Sequence, residues 1–255
     1  MRRFSALILC VLVAGSFHAE TLRIGVFPHY PVVMQRTQDG EPYGPGVEYA
    51  KAIAQALGYE PVIVLLPIAR LLAYLKTGAI DMSLELGMNE ERKAFLLYSD
   101  KPSIVFHPSL TVRAEHRLES IASIKDIAGM RIGYLLGAYP GSFFAGATDI
   151  EFDYVAGDTW IVQNLGKLLS GRIDAILDQN DYSCIAEARR QGVERQIKVL
   201  RLPGEGVKSY IVFSKASPKA GTLLRAFNAL QASEIPDESA IIEEFLHDRF
   251  SPDMH

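Results

Sequence analysis

The sequence predicts an α/β protein of two similar lobes, with the chain crossing between them twice. Three observations predict it. Strand-like and helix-like segments alternate along most of the length, which implies parallel sheets with right-handed crossovers. Two pairs of segments recur in the same order. The segments after about residue 209 have no counterpart in the second unit, so the chain is expected to return to the first lobe. In the repeat, LRIGV (Leu22–Val26) is echoed by MRIGY (Met130–Tyr134). Leu72, Leu75, Gly78, Ile80, Asp81, Leu84 and Glu85 then recur with identical spacing as Leu165, Leu168, Gly171, Ile173, Asp174, Leu177 and Asp178. Each copy reads as the end of an amphipathic helix, a glycine stop and a short buried strand.

The chain opens with MRRFSALILCVLVAGSFHAE, in which Arg2 and Arg3 precede an apolar run from Phe4 to Ala14 and then small residues. This is the pattern of a secretory signal peptide over 1–19, with a run too short for a comfortable membrane anchor. Cleavage is expected after Ala19, with a cut after Ser16 as the alternative. Cys10 lacks the small neighbours of a lipidation site, so no lipid anchor is expected. Loss of the signal leaves Cys184 alone, a small packing residue that can form no intramolecular disulfide.

In the first unit TLRIGVF reads as a strand and VEYAKAIAQALG as a helix, with Val47, Ala50, Ile53, Ala54 and Leu57 as its apolar stripe. EPVIVLL, LLAYLKTG and AIDMSLEL continue as strand, helix and strand. The second unit repeats the order: MRIGYLL, a helix near Ser142, IEFDYV, a helix over 160–169, RIDAILD, a helix over 182–191, and QIKVLRL. SYIVFS and two helices over 219–232 and 238–250 close the chain. The expected division is 20–112 with 209–255 for the first lobe and 113–208 for the second, with crossings near 110–113 and 207–210.

Of the 255 residues 49% are hydrophobic and 22% charged, which excludes a disordered chain. Lys plus Arg number 26 against 30 Asp plus Glu, a net charge of −4, so there is no electrostatic footprint for nucleic acid. None of the six histidines has metal-ligand spacing. His29, near the expected cleft, is the one histidine that stands out, and it reads as a polar loop histidine rather than a ligand. Gly133, Gly137 and Gly141 recur every four residues, but no GK[ST] follows, so no phosphate loop is present. Ser142 lacks a GxSxG context. Neither a metal, a cofactor nor a catalytic residue is therefore expected.

In open parallel sheets ligands bind beyond the carboxyl ends of the strands. The repeat puts Glu85 and Asp178 at equivalent strand ends, Tyr30 and Tyr139 after the first strand of each lobe, and Arg92 at a helix start. All five are expected to face a cleft between the lobes. In GMNEERKAFLLYSD, Asn89 is a suitable N-cap and Glu90 and Glu91 suit the first turn of a helix. Arg92 in that turn is either a solvated surface cation or, with the helix N–H groups, holds an anion. Arg70, in LLPIARLLAYL, either reaches the cleft or stays solvated.

The stretches LRIGVFPHYPV, YGPGVEYAKAIAQALGYE, LKTGAIDMSLELGMNEERKAFLLYSDKP, IKDIAGMRIGYLLG and GRIDAILD cover most of the mature chain. From about Thr21 to Phe250 it resembles the bacterial extracellular solute-binding proteins of family 3, typified by periplasmic amino-acid-binding proteins. The resemblance implies a two-lobe periplasmic-binding-protein-like fold with two crossover hinge strands. It further implies a monomeric periplasmic protein that captures a small carboxylate-bearing ligand (an amino acid, a derivative or an organic acid) and delivers it to a membrane permease of the ABC type or to a sensor. Arg92 matches the carboxylate clamp, Tyr30 the aromatic cover, and Leu84 to Gly87 the stretch that meets the ligand. Gly87 replaces a Ser or Thr, and Ala138 and Tyr139 stand where small hydroxyl residues usually do. Gly46 replaces the Asp of a Gly-Phe-Asp turn. Gln179 replaces the Asp that pairs an α-ammonium, with Asp178 and Asp181 close by. The alternative is a periplasmic dehydratase-like enzyme on the same fold, with Glu85, Asp178 and Asp181 as candidate acids.

Overall fold

A computed structural model describes residues 20–35, 40–138, 140–157, 159–230 and 234–250 of the chain. The expected signal peptide and Tyr139 lie outside the described residues. The first lobe begins with β1 (Thr21–Val26), followed by β2 (Met34–Gln35) and β3 (Pro42–Tyr43), which pair antiparallel. At Gly44 φ is 122° and a Cβ would lie 2.4 Å from the Val32 carbonyl oxygen, so glycine is required there. Pro45, with its preset φ, then opens α1 (Pro45–Ala56), which buries Val47, Ala50, Ile53 and Ala54 as its apolar stripe predicts. Next come β4 (Glu60–Leu65) and α2 (Ile68–Thr77), the latter closed by Gly78 in the left-handed region. β5 (Met82–Gly87), α3 (Glu90–Lys93), β6 (Leu96–Tyr98) and β7 (Ile104–Phe106) complete the first pass.

The second unit holds β8 (Ser109–Arg113), β9 (Arg131–Leu135), β10 (Glu151–Val155), α4 (Trp160–Leu169), β11 (Ala175–Asp178), α5 (Ser183–Arg190) and β12 (Ile197–Arg201). A 3-10 turn at Ser142–Phe144 stands where a helix near Ser142 is expected. The chain then returns through β13 (Val207–Ser214), α6 (Ala220–Ala229) and α7 (Glu238–Phe250).

The first sheet runs β4-β1-β5-β13-β6, with β7 also on β13; the second runs β10-β9-β11-β8-β12. Strands of the repeat are parallel, as expected, but β13 lies antiparallel to β5, and β8 antiparallel to β11 and β12. Both sheets are therefore mixed. β8 also moves the lobe boundary from the expected 112/113. Leu110 and Val112 are fully buried in the core of the second lobe, so the first crossing is the short segment between Phe106 and Ser109. The return crossing lies between Arg201 and Val207, slightly earlier than the expected 209.

The repeat has a common physical basis. Ile24 and Gly25 pair with Met82 and Ser83 in the register in which Ile132 and Gly133 pair with Ala175 and Ile176. The backbone N–H of Arg23 donates to Asp81 Oδ2 at 3.1 Å, and that of Arg131 to Asp174 Oδ2 at 2.8 Å. Each glycine is needed for close packing. A Cβ on Gly25 would meet Leu71 Cδ1 at 2.2 Å, and one on Gly133 would meet Asn164 Oδ1 at 2.6 Å.

Candidate functional site

The ends of β1, β9 and β11 converge between the lobes, and there a cavity of about 250 Å³ opens. His29 and Tyr30 of the first lobe line it opposite Tyr134, Trp160, Asp178 and Gln179 of the second. Three of the expected residues, Tyr30, Asp178 and Gln179, meet here.

The walls are built from both lobes. The Tyr30 hydroxyl donates to Glu187 Oε2 on α5 at 3.3 Å, and Ser183 Oγ donates to the Tyr30 carbonyl at 3.0 Å. Glu187 is itself buried and held by Arg190 and Gln191. His29 stacks on Phe27, meets Phe106 edge-on, and lies 3.1 Å through Nδ1 from Glu85 Oε2. Burial alone would lower the His29 pKa, but the Glu85 hydrogen bond and the charges of Glu85 and Asp178 raise it. Glu85 is buried and is the one described non-glycine residue with positive φ, 54°, where β13 carries a bulge against β5. Such a backbone costs about 1–3 kcal/mol.

Asp178 is only 5% exposed. Its Oδ1 accepts from the Gln179 N–H at 2.7 Å and from Asn180 Nδ2 at 3.3 Å. Its Oδ2 is buried with no hydrogen-bond partner in the structure. Burial pushes its pKa up to about 6, against the pull of His29, the neighbouring backbone N–H groups and the Ser183 hydroxyl. The Asn180 side chain accepts from the N–H groups of Tyr182 and Ser183, fixing the start of α5 beside the cavity. Gln179 Nε2 donates to the Tyr134 hydroxyl at 2.7 Å.

The other expected residues sit elsewhere. Glu85 is one hydrogen bond removed, behind His29. Arg92 donates through Nη1 to the Gly87 carbonyl at 3.0 Å and does not line the cavity. The helix it starts, α3, has four residues, and Asn89 Oδ1 already accepts the Arg92 N–H at 2.8 Å, which weakens the expected anion site at that helix start. Arg70 is exposed at the start of α2. Asp181 pairs with Arg201 outside this cavity. Tyr134 and Trp160 are not singled out from the sequence, whereas His29 is expected near the cleft but reads as a polar loop residue. His29 is adjacent to Tyr30, and Tyr134 occupies the strand end equivalent to Val26, so the repeat carried a signal for both.

Among the described residues no group of three His, Cys, Asp or Glu is placed to hold a metal ion, and no helix is long and apolar enough to cross a membrane.

No curated protein sequence matches the chain. Solved structures do. The second substrate-binding domain of a putative amino acid ABC transporter from Streptococcus pneumoniae is 19% identical with a TM-score of 0.64, covering 89% of this chain and 100% of its own. An ancestral cationic amino acid solute-binding protein is 18% identical with a TM-score of 0.68, covering 89% and 95%. The VFT2 domain of BvgS from Bordetella pertussis is 14% identical with a TM-score of 0.63, covering 88% and 93%. These likenesses carry the two-lobe fold. The family profile of the bacterial extracellular solute-binding proteins, family 3, matches residues 22–238, and the chain belongs to that family.

Proposed function

We propose that the protein is a periplasmic solute-binding protein that captures a small solute of the amino-acid class between its lobes and hands it to an ABC-type permease or to a sensor. The observation that carries this is the cavity: it is closed by residues of both lobes, so a bound solute bridges them and favours the closed form. A permease partner has a precedent among the similar structures, the substrate-binding domain of an amino acid ABC transporter. Amino acids and their derivatives fit better than plain organic acids, because Asp178 lines the cavity and, among the described lining residues, no lysine or arginine does. Arg92 is the proposed carboxylate contact of the resemblance, but it engages the Gly87 carbonyl, so the carboxylate half of the solute has less support.

A second reading has one observation in its favour. A buried carboxyl group pushed up to about 6 can give or take a proton near neutral pH, as a dehydratase-like enzyme requires. A thermal-shift screen of amino acids, derivatives and organic acids, with a turnover assay on every hit, separates the two. Binding without turnover supports the capture protein. Consumption of a hit would replace it with the enzyme.

A further inference from the structure

A second cavity, of about 640 Å³, lies against both crossings between the lobes. Its walls come from β7 and α7 of the first lobe and α5 of the second, with His107 from one crossing and Arg201 from the start of the other. Helix spacing builds it. Ser239, Ile242, Glu243 and Leu246 lie at i, i+3, i+4 and i+7 and form one face of α7, while Ile185 and Arg189, four apart, share a face of α5. Ser183, which lines the solute cavity, is two residues from Ile185 and so about half a turn round the helix. α5 therefore separates two distinct cavities.

The inner wall is apolar, since Ile104, Ile242 and Leu246 are buried there, while the side chains of Arg189 and Arg201 are 28% and 62% exposed. Each arginine is held through Nε alone, Arg189 by Glu194 at 2.7 Å and Arg201 by Asp181. Among the described residues no acceptor meets the Nη atoms of either. A guanidinium held in that way keeps donors of its planar fork for a further carboxylate. Of the lining acids, Asp181 is taken by Arg201, and Glu243 is exposed on α7. A cavity of this size, with an apolar wall and a few convergent polar groups, suits a small organic ligand. We propose that it binds a small amphipathic carboxylic acid, with the carboxylate on the Nη groups of Arg189 and Arg201 and the hydrocarbon body against Ile104, Ile185, Ile242 and Leu246. The site is independent of what the cavity beside Tyr30 holds.

The test is calorimetric titration of the wild-type protein with hexanoate, octanoate and decanoate, and with octylamine and octanol as the cationic and uncharged counterparts of octanoate. Decanoate is expected to bind one to one with a Kd of about 1 mM or tighter. Affinity should fall about fourfold for each methylene removed, as for a chain buried in an apolar cavity. Octylamine and octanol should each bind about tenfold more weakly than octanoate or worse, because they lose the charge-assisted bonds. Replacing both arginines, Arg189→Gln with Arg201→Gln, should lower decanoate affinity about tenfold or more. Ile185→Trp, which fills the cavity, should abolish binding, whereas Tyr30→Phe, in the solute cavity, should leave it within about twofold. Absence of decanoate binding, binding at several sites, or equal binding of octylamine or octanol overturns the proposal. So does unchanged decanoate affinity in a folded arginine or Ile185 variant. The wild-type comparisons decide the matter even where a variant does not fold.

Discussion

Glu238 opens α7 and is 2% exposed, with both carboxylate oxygens lacking a hydrogen-bond partner. Burial first, and the nearby Glu85 carboxylate second, raise its pKa well above 4.5. Two ionised carboxylates can only accept hydrogen bonds, whereas one proton between them makes a donor and an acceptor. Folding therefore takes up a proton that the unfolded chain releases above about 4.5, and stability falls as pH rises from there toward the folded value. Glu238→Gln keeps a donor and removes the titration. Its melting temperature should match wild type near pH 4.5 and exceed it increasingly at higher pH, by roughly 3–5 °C per pH unit across that window. Parallel melting profiles for the two proteins would contradict this account. The same acid pair shows what the sequence left hidden. Glu85 stood out through the repeat, but Glu238 lies 153 positions further along in a segment without a counterpart, and only the tertiary docking of α7 joins them.

The repeated strand–helix–strand unit is where the sequence was most legible, because its shared residues answer one local need in each lobe. Gly25 and Gly133 let a helix approach a strand, and Asp81 and Asp174 each accept the N–H of the arginine on the neighbouring strand. Gly133→Ala should cost about 1–3 kcal/mol by overpacking against Asn164 and Ile173, read as a lower urea midpoint with unchanged slope. Asp81 is fully buried, and although burial alone would raise its pKa, the hydrogen bonds of Arg23 and Ser217 hold it below 3.8. Its contribution is present above about pH 3.8 and lost as pH falls through the lower folded value. Asp81→Asn should therefore lose about 1–3 kcal/mol at pH 7, with the difference from wild type shrinking in acid. The non-repeating elements were less legible. β8 reads as the end of the first lobe by position, yet Leu110 and Val112 bury in the second, because a strand's sheet is set by the partner that covers its apolar face. Arg92 was legible as a helix-start residue, but its contact with Gly87 depends on side-chain direction, which spacing does not specify.

Across the whole molecule, two crossings link the lobes and the cavity lies between them. α5 ties them further: Ser183 and Glu187 bond Tyr30, and Ala186 belongs to the core of the first lobe. Ligand should therefore shift a population toward a compact form, seen as a smaller radius of gyration in solution scattering at saturation. Tyr30→Phe keeps the ring but loses the Glu187 bond, so affinity should fall about 2- to 10-fold, the usual net worth of one hydrogen bond. A solute held between the lobes lies beside the single tryptophan of the sequence, Trp160, in the wall of that cavity. Its emission on titration with the solute that gives the largest thermal shift is the most direct measurement. A saturable change is expected, with a midpoint that matches the calorimetric affinity. A solute that binds by calorimetry yet leaves Trp160 emission unchanged at saturation would contradict that placement.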